Sequence, residues 1–413
     1  MNLSVGLLER QPAIEVELTG GAFADPSGKS YAPGRYRFDA AITLTPSDAA
    51  SCAFALHNVT IGIGFHWERK ERQVFRGALR ILERPAGLTA INDVPLEEYV
   101  TSVISSEMSA SCPLELLKAH AVISRSWVWF PKATPAPASA PTASQRADSH
   151  EIRRWYGREA HLDFDVCADD HCQRYQGITK MFSPGAAEAV RATAGEFLLY
   201  AGAICDARFS KCCGGITERY ATAWEDVDIP YLESVPDGAA DSVHYSAEVW
   251  IRSRPSAYCS TVDCELLARI LPGFDQETRD FYRWKIAYTA SELADLIRAK
   301  LGVNLGAIRE LLPLTRGPSG RIDRLKIIGD RDYLIIGKEL EIRRALSPTH
   351  LYSSAFVVDR EGDRIILTGA GWGHGVGLCQ IGAAVMATQG KTYTEILQHY
   401  YRGTSVGPQT GSL

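Results

Sequence analysis

Four candidate metal ligands lie close together in the middle of the sequence. They are His161, Cys167, His171 and Cys172, all within the twelve residues from 161 to 172. Two thiolates and two imidazoles make a closed tetrahedral donor set, which is the usual composition of a structural zinc site. Because His171 and Cys172 are adjacent, they can share one ion only from an irregular loop, which residues 168–170 can supply. The spacing is not that of a classical zinc finger, but the donor set favours structural zinc, with unligated thiols or a Cys167–Cys172 disulfide as the alternatives.

A second candidate is a single carboxyl group, that of Glu107, near the predicted end of a helix. This helix is predicted to start after Asp93, a candidate N-cap, with Pro95 in its first turn, and to end between Ser106 and Ser109. Its apolar stripe repeats at helical spacing and comprises Leu96, Val100, Val103 and Ile104. The helix dipole disfavours a negative charge at this end, so a protonated carboxyl able to act as a general acid is expected. An exposed glutamate at a helix end is the alternative.

Two cations, Lys118 and Arg125, share one face of the next predicted helix because they are seven positions apart. This helix is expected to begin at Ser111 and Pro113. Two positive charges on a common face can bind a polar ligand or support a nearby carboxylate. A solvated helix face is the alternative interpretation.

A glycine-rich block, Gly369-x-Gly371-x-Gly373-His374-Gly375-x-Gly377, lies between a strand-like run over 364–368 and a helix-like run over 378–389. Its register does not match the dinucleotide fingerprint G-x-G-x-x-G, because the sixth position is His374, so nucleotide binding is rejected. The glycines permit close approach of the backbone to a ligand, which His374 and Gln380 could then hydrogen-bond. A tight strand-to-helix connection with His374 as a packing residue is the alternative.

The segment over 210–218 reads S-K-C-C-G-G-I-T-E and places Cys213 before the pair Gly214-Gly215. One interpretation makes Cys213 a nucleophile with His374 as its base, although no other feature of the sequence supports a cysteine hydrolase. Cys212 is adjacent to Cys213, and Cys259 lies close to Cys264 in the sequence. The other cysteines outside the metal block are scattered. Buried free thiols are expected for these, namely Cys52, Cys112, Cys205 and Cys379.

These candidate residues must be positioned by strands and helices. The order of the predicted strands and helices indicates an α+β fold with a β-rich N-terminal part, a central helical segment and a second, smaller α/β unit. In the smaller unit, strands are predicted over 284–288, 321–328 and 332–336, and a capping box, Thr289 to Glu292, opens a helix that ends near Leu301. The predicted divisions are 1–91 (β-rich), 92–130 (helical, with Glu107), 131–150 (flexible, rich in Pro, Ala and Ser), 151–280 (Cys/His block and cleft-forming part of the core), 281–345 (smaller α/β unit) and 346–413 (glycine-rich block returning to the core).

The composition is that of a soluble globular protein, with 413 residues of which 46% are apolar and 23% charged. A net charge of −5 provides no electrostatic footprint for nucleic acid. No apolar run approaches the roughly 20 residues of a membrane-spanning helix, so no transmembrane segment is expected. Glu9 and Arg10 interrupt the N-terminal apolar run, and no signal peptide is visible.

Two stretches carry a family resemblance. Residues 92–127 contain P-L-E-E-Y, S-E-M and K-A-H-A-V-I-S-R-S, and residues 369–404 contain G-A-G-W-G-H-G-V-G-L-C-Q. Together they resemble the signature blocks of the sporulation stage II protein D and amidase-enhancer family. Weaker matches, such as P-Y-L-E-S-V over 230–235, extend the resemblance over nearly the whole chain, although this family more often has serine where this chain has Cys213.

The resemblance implies an enzyme of the cell envelope that cleaves the glycan strands of peptidoglycan. Glu107, in S-E-M, falls on the catalytic glutamate of the glycan-cleaving members. A lytic transglycosylase can work with this one carboxyl group, as acid and then base, and leaves 1,6-anhydro-muramic ends. The alternatives are a non-catalytic, glycan-binding enhancer of a partner amidase and a zinc-stabilised scaffold in an envelope assembly.

The same resemblance assigns roles to the other candidates. Some family members hold zinc at a similar block, and those ligands map onto His161, Cys167, His171 and Cys172. The residues implied to line the glycan cleft, bind the substrate or position the catalytic glutamate are Lys118, Arg125, Cys213, Gly214, Gly215, His374 and Gln380.

Overall fold

The computed structural model describes residues 1–65, 67–134, 145–148, 150–157, 161–238, 246–273, 275–277 and 280–409. It confirms the predicted α+β class and divides the chain into two compact units. Unit 1 comprises Met1–Val128, Arg158–Ala194 and Arg269–Pro272, and unit 2 comprises Trp129–Gly157, Gly195–Ala268 and Gly273–Leu413. Each unit is assembled from separate stretches of the chain. The six-part division drawn from the sequence stays a prediction.

The elements are as follows. The strands are β1 (Asn2–Gln11), β2 (Ile14–Thr19), β3 (Phe23–Ala24), β4 (Ser30–Tyr31), β5 (Gly34–Phe38), β6 (Ile42–Pro46), β7 (Ala53–Ile61), β8 (Arg69–Phe75), β9 (Ala78–Arg84), β10 (Gly87–Pro95), β11 (Gln145–Ala147), β12 (Glu151–Arg154), β13 (Val166–Cys167), β14 (Glu196–Tyr200), β15 (Ala203–Ile204), β16 (Phe209–Ser210), β17 (Arg283–Thr289), β18 (Ile308–Arg316), β19 (Ile322–Gly329), β20 (Tyr333–Gly337), β21 (Phe356–Glu361), β22 (Arg364–Ala370), β23 (Leu378–Cys379) and β24 (Ser405–Pro408). The helices are α1 (Leu96–Glu107), α2 (Leu114–Ala133), α3 (Pro184–Ala192), α4 (Tyr220–Ala223), α5 (Ala247–Arg252), α6 (Cys264–Ile270), α7 (Ala290–Leu301), α8 (Glu339–Ala345), α9 (Gln380–Thr388) and α10 (Tyr393–Tyr400). Short 3-10 helices cover Pro230–Leu232, Tyr258–Ser260 and Asp275–Glu277.

Unit 1 contains two sheets, one of seven strands in the order β13-β1-β10-β9-β6-β3-β4 and one of four in the order β5-β2-β7-β8. The pairing is antiparallel except between β1 and β13, which run parallel. In β2, Ile14, Val16 and Leu18 are buried while Glu15 is exposed. The alternation of apolar and polar residues therefore correctly predicted β-structure in this part of the chain.

Helix α1 begins two residues later than the sequence predicts. Strand β10 continues through Pro95, so Asp93 lies within a strand, and its carboxylate pairs with the Arg80 guanidinium at 3.1 Å instead of capping the helix. The ion pair across neighbouring strands stabilises the strand conformation here. The other end of α1 was predicted correctly, because Glu107 is its last residue.

Nearly all of α1 is buried, although it is rich in hydroxyl side chains. The hydroxyl of Ser105 donates to the Thr101 carbonyl at 2.8 Å, and that of Ser106 donates to the Ser102 carbonyl at 2.8 Å. Hydrogen bonds to the preceding turn allow these small polar groups to lie in the interior. The result is a helix that fixes Glu107 from within the core of unit 1.

Part of the segment predicted as a flexible insertion, 131–150, lies in regular secondary structure. Helix α2 continues through Ala133 with Pro131 in its last turn, and β11 pairs antiparallel with β12. The hydrogen bonds of this pairing come from a partner strand that the composition of the segment could not reveal. Residues 135–144 and 149 lie outside the described part of the chain.

Unit 2 contains the strands and the helix predicted between 281 and 345. Thr289 and Glu292 form the predicted capping box, and α7 ends at Leu301, followed by Gly302 with a φ of 73°. A five-stranded sheet has the order β11-β12-β20-β19-β18, and a three-stranded sheet has the order β17-β22-β21. Because β17 pairs with β22, the predicted smaller α/β unit shares a sheet with the strand that leads into the glycine-rich block.

Candidate active site and metal centre

Glu107 is 8% exposed, so its carboxyl group lies almost wholly inside unit 1. Its Oε1 accepts a hydrogen bond from the backbone N–H of Arg174 at 2.9 Å. Met108 then adopts an extended conformation, with φ −124° and ψ −179°, and ends the helix. The alternative of an exposed glutamate at a helix end does not describe this side chain.

The segment that presents this N–H is held on both sides. The Arg174 guanidinium donates to Asp170 at 2.6 Å and lies over the Trp67 ring, 4.4 Å from its centre. The Gln173 side chain accepts a hydrogen bond from the Tyr99 hydroxyl at 3.0 Å. The sequence did not identify these residues as part of the site. The one available signal was that Gln173 and Arg174 directly follow the Cys/His block.

The four predicted metal ligands converge, with all donor atoms within 4.8 Å of one another. His161 Nε2 lies 3.2 Å from His171 Nδ1 and 3.3 Å from Cys172 Sγ, and the Cys167 and His171 donors are 3.9 Å apart. A tetrahedron around zinc, with bonds of about 2.0–2.3 Å, has edges of about 3.3–3.8 Å, so the spacing fits such an ion. Cys167 and Cys172 are free thiols, and no disulfide joins them.

The irregular loop required by adjacent ligands is present. Cys167 ends β13, whose pairing with β1 aligns it with Gly6, and the Cys172 N–H donates to the Asp169 carbonyl at 3.0 Å to close a turn. The Asp169 carboxylate accepts the N–H groups of Gly62 and Ile63 at 2.9 and 3.2 Å. The loop is therefore positioned by unit 1 and not by its own sequence alone.

Lys118 and Arg125 differ from each other in the structure. The Arg125 side chain is fully buried, and its guanidinium makes two hydrogen bonds to the Glu97 carboxylate, at 3.0 and 2.6 Å. Lys118 is partly exposed and pairs with Glu115 at 2.6 Å. A solvated helix face does not describe Arg125, which joins α2 to the first turn of α1. Contact of either cation with a substrate stays a prediction.

The glycine-rich block follows β22 in unit 2 and has positive φ at Gly371, Gly373, Gly375 and Gly377. A Cβ at Gly375 would lie 2.4 Å from the Arg321 guanidinium carbon, and one at Gly377 would lie 1.9 Å from a backbone oxygen of Arg208. The glycines are therefore required by their backbone conformation and by contacts within this chain. A close approach to a sugar strand, expected from the sequence, is not needed to explain them.

His374 is partly buried, and its Nδ1 accepts the Val376 N–H at 3.0 Å. Its ring meets that of Trp224 edge to face, with centres 4.8 Å apart. Desolvation, together with the positive charges of Arg208, Arg321 and Arg343, holds the pKa of His374 well below its usual value. The ring is accordingly a neutral imidazole. Gln380, the first residue of α9, is 1% exposed.

Cys213 is 2% exposed, and its thiol faces that of Cys259 at 3.6 Å. The following Gly214 and Gly215 have positive φ, and a Cβ at Gly215 would overlap the Trp250 ring. Deep burial gives the cysteine-nucleophile interpretation no support. Cys379, which the sequence suggested was a scattered thiol, belongs to this same cluster, because its Sγ accepts the Cys213 N–H at 3.2 Å.

The predicted residues thus fall into two groups. Unit 1 brings together Glu107 and the segment that follows the four predicted metal ligands, and it also carries Lys118 and Arg125. Unit 2 carries Cys213, Gly214, Gly215, His374 and Gln380. Positioning of Glu107 by His374 or Gln380 stays a prediction.

Comparison with known proteins gives two family matches. The profile of a family described as Stage II sporulation protein matches residues 84–200, and a domain of unknown function, DUF8618, matches residues 218–377. Stage II sporulation protein D of Bacillus subtilis (strain 168) is 28% identical over 317 residues, covering 77% of this chain and 76% of that protein. The homologue from Bacillus amyloliquefaciens is also 28% identical over 317 residues, covering 77% and 75%.

A further relative is the amidase enhancer of Bacillus subtilis (strain 168), which is 24% identical over 318 residues. The match covers 74% of this chain and 39% of that protein. Among the residues that the structure describes, no helix combines the length and apolar character needed to cross a membrane.

Proposed function

Because this chain belongs to the sporulation stage II protein D and amidase enhancer family, we propose that it acts in the cell envelope and cleaves the glycan strands of peptidoglycan. The reaction is lytic transglycosylation. The observation that carries this proposal is Glu107, a nearly buried carboxyl group at a helix end whose Oε1 accepts a backbone N–H.

One carboxyl group suffices for this chemistry. The acid form of Glu107 donates its proton to the glycosidic oxygen while the bond from that oxygen to C1 of the muramic sugar breaks. The resulting carboxylate then accepts the proton of the C6 hydroxyl of the same sugar, and the C6 oxygen bonds to C1. The products are a free hydroxyl on the leaving sugar and a 1,6-anhydro ring, and Glu107 regains its proton. No water is consumed, whereas hydrolysis normally needs a second carboxylate.

The surroundings of Glu107 suit this role. Its burial excludes most water from the carboxyl group, and the Arg174 N–H fixes the direction of Oε1. A group that must deliver and then retrieve a proton has to hold its position while the sugar ring closes. The paired Arg174 and Asp170 side chains, together with the Trp67 ring, keep the segment in place.

The proposal includes a structural zinc ion held by His161, Cys167, His171 and Cys172. The donor set and the spacing of its atoms support it. With four protein ligands the ion would have no open position, so it would supply a fixed loop and no activated water. The residues of this loop lead directly to Arg174 and therefore orient the N–H that Glu107 accepts.

The test is incubation of the protein with purified peptidoglycan, both intact and stripped of its peptides, followed by mass spectrometry. Wild type is expected to release fragments with 1,6-anhydro-muramic ends. Glu107→Gln should lose this activity by about 100-fold or more, since general acid–base catalysis contributes that much. Glu188→Gln, an exposed glutamate on α3 in the same unit, is the matched control and should cleave like wild type.

Glycan fragments with reducing ends would show that the reaction is hydrolysis and not transglycosylation. Retention of full activity in Glu107→Gln would remove Glu107 from the mechanism. If neither substrate is cleaved, the second candidate function gains weight.

That second candidate is a glycan-binding enhancer of a partner amidase, and the similarity to the amidase enhancer of Bacillus subtilis favours it. In this case the chain would bind glycan strands without cutting them. Binding of stripped glycan by Glu107→Gln, measured by sedimentation, would then equal that of wild type. Wild type and variant would also stimulate a purified cell-wall amidase equally, which a catalytic role does not predict.

A further inference from the structure

Unit 2 contains a cluster of buried metal-ligating groups that the proposed function does not use. It consists of Cys213, Asp237, Cys259 and Cys379, and the ligand atoms of all four lie within 4.8 Å of one another. Each side chain is at most 2% exposed. Sequence reasoning did not find the cluster, because its members are far apart in the chain.

Each member of the cluster comes from a different part of the fold. Cys213 follows β16, and Cys259 lies in the 3-10 helix Tyr258–Ser260. Cys379 ends β23 and immediately precedes α9. Asp237 lies beside the bridge between Ile216 and Pro236. Four separate segments are therefore required to bring these donors to one point.

The distance between the thiols fits one shared ion. Cys213 Sγ and Cys259 Sγ are 3.6 Å apart. A disulfide would bring the two sulfurs to about 2.05 Å. Two thiolates on a tetrahedral zinc ion, each bonded at about 2.3 Å, lie about 3.8 Å apart. In an iron–sulfur cluster the cysteines are divided among two or four iron atoms, whereas the four donor atoms here all lie within 4.8 Å of one another, close enough to share a single ion.

The backbone around the cluster already supports thiolates. Cys379 Sγ accepts the Cys213 N–H at 3.2 Å, and Cys213 Sγ accepts the Gly215 N–H at 3.4 Å. The Asp237 carboxylate accepts the Cys259 N–H at 2.8 Å and the Tyr400 hydroxyl at 2.5 Å. Such outer hydrogen bonds orient the ligands of metal sites and stabilise their charge.

Asp237 also lacks a compensating cation. Within the described residues, no lysine, arginine or histidine forms an ion pair with its carboxylate, although the side chain is 1% exposed. A buried carboxylate is normally paired with a cation or bound to a metal. A divalent ion among the three thiols would supply the missing positive charge.

We propose that Cys213, Asp237, Cys259 and Cys379 bind a second metal ion, a thiophilic divalent ion for which zinc is the best match. Four protein ligands leave no open position, so the ion is structural. It ties the Gly214-Gly215 turn and the 3-10 helix to the start of α9. The thiol of Cys212 also interacts with those of Cys259 and Cys379, and the test must separate it from the ligands. This site does not depend on the proposed function.

The test starts from Cys167→Ser/Cys172→Ser, which removes two donors of the other centre. After purification without chelators, this background is expected to retain about one zinc ion per chain by plasma mass spectrometry. Adding Cys213→Ser/Cys259→Ser should remove that ion. Two controls should retain it. These are Cys205→Ser, which alters a buried thiol of unit 2 outside the cluster, and Cys212→Ser.

Cobalt provides a readout that needs no change in the cluster itself. The background variant, exchanged with Co²⁺, should show thiolate-to-cobalt charge-transfer absorption and the visible bands of tetrahedral cobalt. Absence of these bands, together with absence of bound zinc, would overturn the proposal. So would a disulfide between Cys213 and Cys259 in non-reducing peptide mapping. None of these results depends on glycan cleavage, so failure here leaves the role of Glu107 untouched.

Discussion

The carboxyl group of Glu107 and the imidazole of His374 show how burial sets the chemistry of single side chains in this protein. Glu107 receives a backbone N–H at the end of a helix, which fixes its geometry. His374 is kept neutral by desolvation and by the positive charges of three arginines, Arg208, Arg321 and Arg343. A neutral ring whose Nδ1 accepts an N–H carries its proton on Nε2 and offers that atom as a donor.

We predict that His374 stays neutral at pH values below the ordinary imidazole pKa of 6.5. Its pKa in the folded protein lies well below the ordinary value of 6.5, so the unfolded chain binds a proton below about pH 6.5 that the folded chain does not. The contribution of His374 to stability is therefore fully present above that pH and declines as the pH falls through it. Ring ¹⁵N shifts, assigned with His374→Asn, measure the protonation state. An imidazole titrating between pH 6 and 7 would contradict the prediction.

Alanine substitutions at two glycines can distinguish the cost of backbone strain from the cost of steric overlap. Gly390 has a φ of 83°, and a Cβ added there would have no atom within 4 Å, whereas Gly375 has a φ of 77° and its Cβ would overlap Arg321. Gly390→Ala should cost about 1 kcal/mol, the strain of a left-handed alanine. Gly375→Ala should cost about 3 kcal/mol or more, because overpacking adds to that strain. Urea unfolding measures both, and equal losses would show that Arg321 moves aside without cost.

At the scale of elements, the loop from His161 to Arg174 joins two features that look separate in the sequence. It carries the four candidate zinc ligands and, two residues after the last of them, the N–H that Glu107 accepts. The parallel pairing of β13 with β1 holds the start of the loop, and the Arg174–Asp170 pair holds its end. Any change in the candidate metal centre should therefore alter the position of Glu107 through the backbone of this loop.

We predict that removal of the proposed zinc ion loosens the Arg174 amide. Treatment with a chelator, or the substitution Cys172→Ser, should speed hydrogen exchange at Arg174 by about tenfold or more, which corresponds to a loss of about 1.4 kcal/mol of local protection. Exchange within β2, in the four-stranded sheet of the same unit, is the internal control and should change little. Unaltered exchange at Arg174 would mean that the protein holds this loop without the metal.

At the scale of the whole molecule, neither compact unit is a continuous piece of chain. The family match over 84–200 includes Glu107 and the four candidate zinc ligands, but it omits most of the strands of unit 1 and the segment Arg269–Pro272. That segment accepts hydrogen bonds from the turn that follows Glu107. The Ile270 carbonyl accepts the Ser109 N–H at 3.0 Å, and the Arg269 carbonyl accepts the Ser111 hydroxyl at 2.9 Å. The matched region therefore does not coincide with either compact unit.

We predict that a fragment of residues 1–200 is less stable than unit 1 in the full chain. It lacks Arg269 and Ile270, so the Ser109 N–H loses its partner, and an unsatisfied buried group costs about 1–3 kcal/mol. Thermal unfolding should show a lower midpoint for the fragment, and the Ser109 amide should exchange faster. A midpoint equal to that of the full chain would show that the segment from α6 is dispensable.

The sequence alone determined the features that depend on local pattern. The end of α1 at Glu107, the alternation in β2, the capping box of α7 and the composition of the first metal-ligand set all follow from residue types at short spacing, where local chemistry decides the outcome. The family resemblance was also readable there and is confirmed by the comparisons. Asp93 was predicted wrongly as a cap because its partner, Arg80, lies on another strand.

Only the tertiary structure decided which distant groups meet. The Arg174 N–H reaches Glu107 across 67 residues, and the Cys213 N–H reaches the Cys379 thiol across 166. No local rule relates such positions, because their approach depends on how the sheets pair and which segments fill the core. The same is true of Arg125, whose charge suggested a surface and whose partner, Glu97, allows it to be buried.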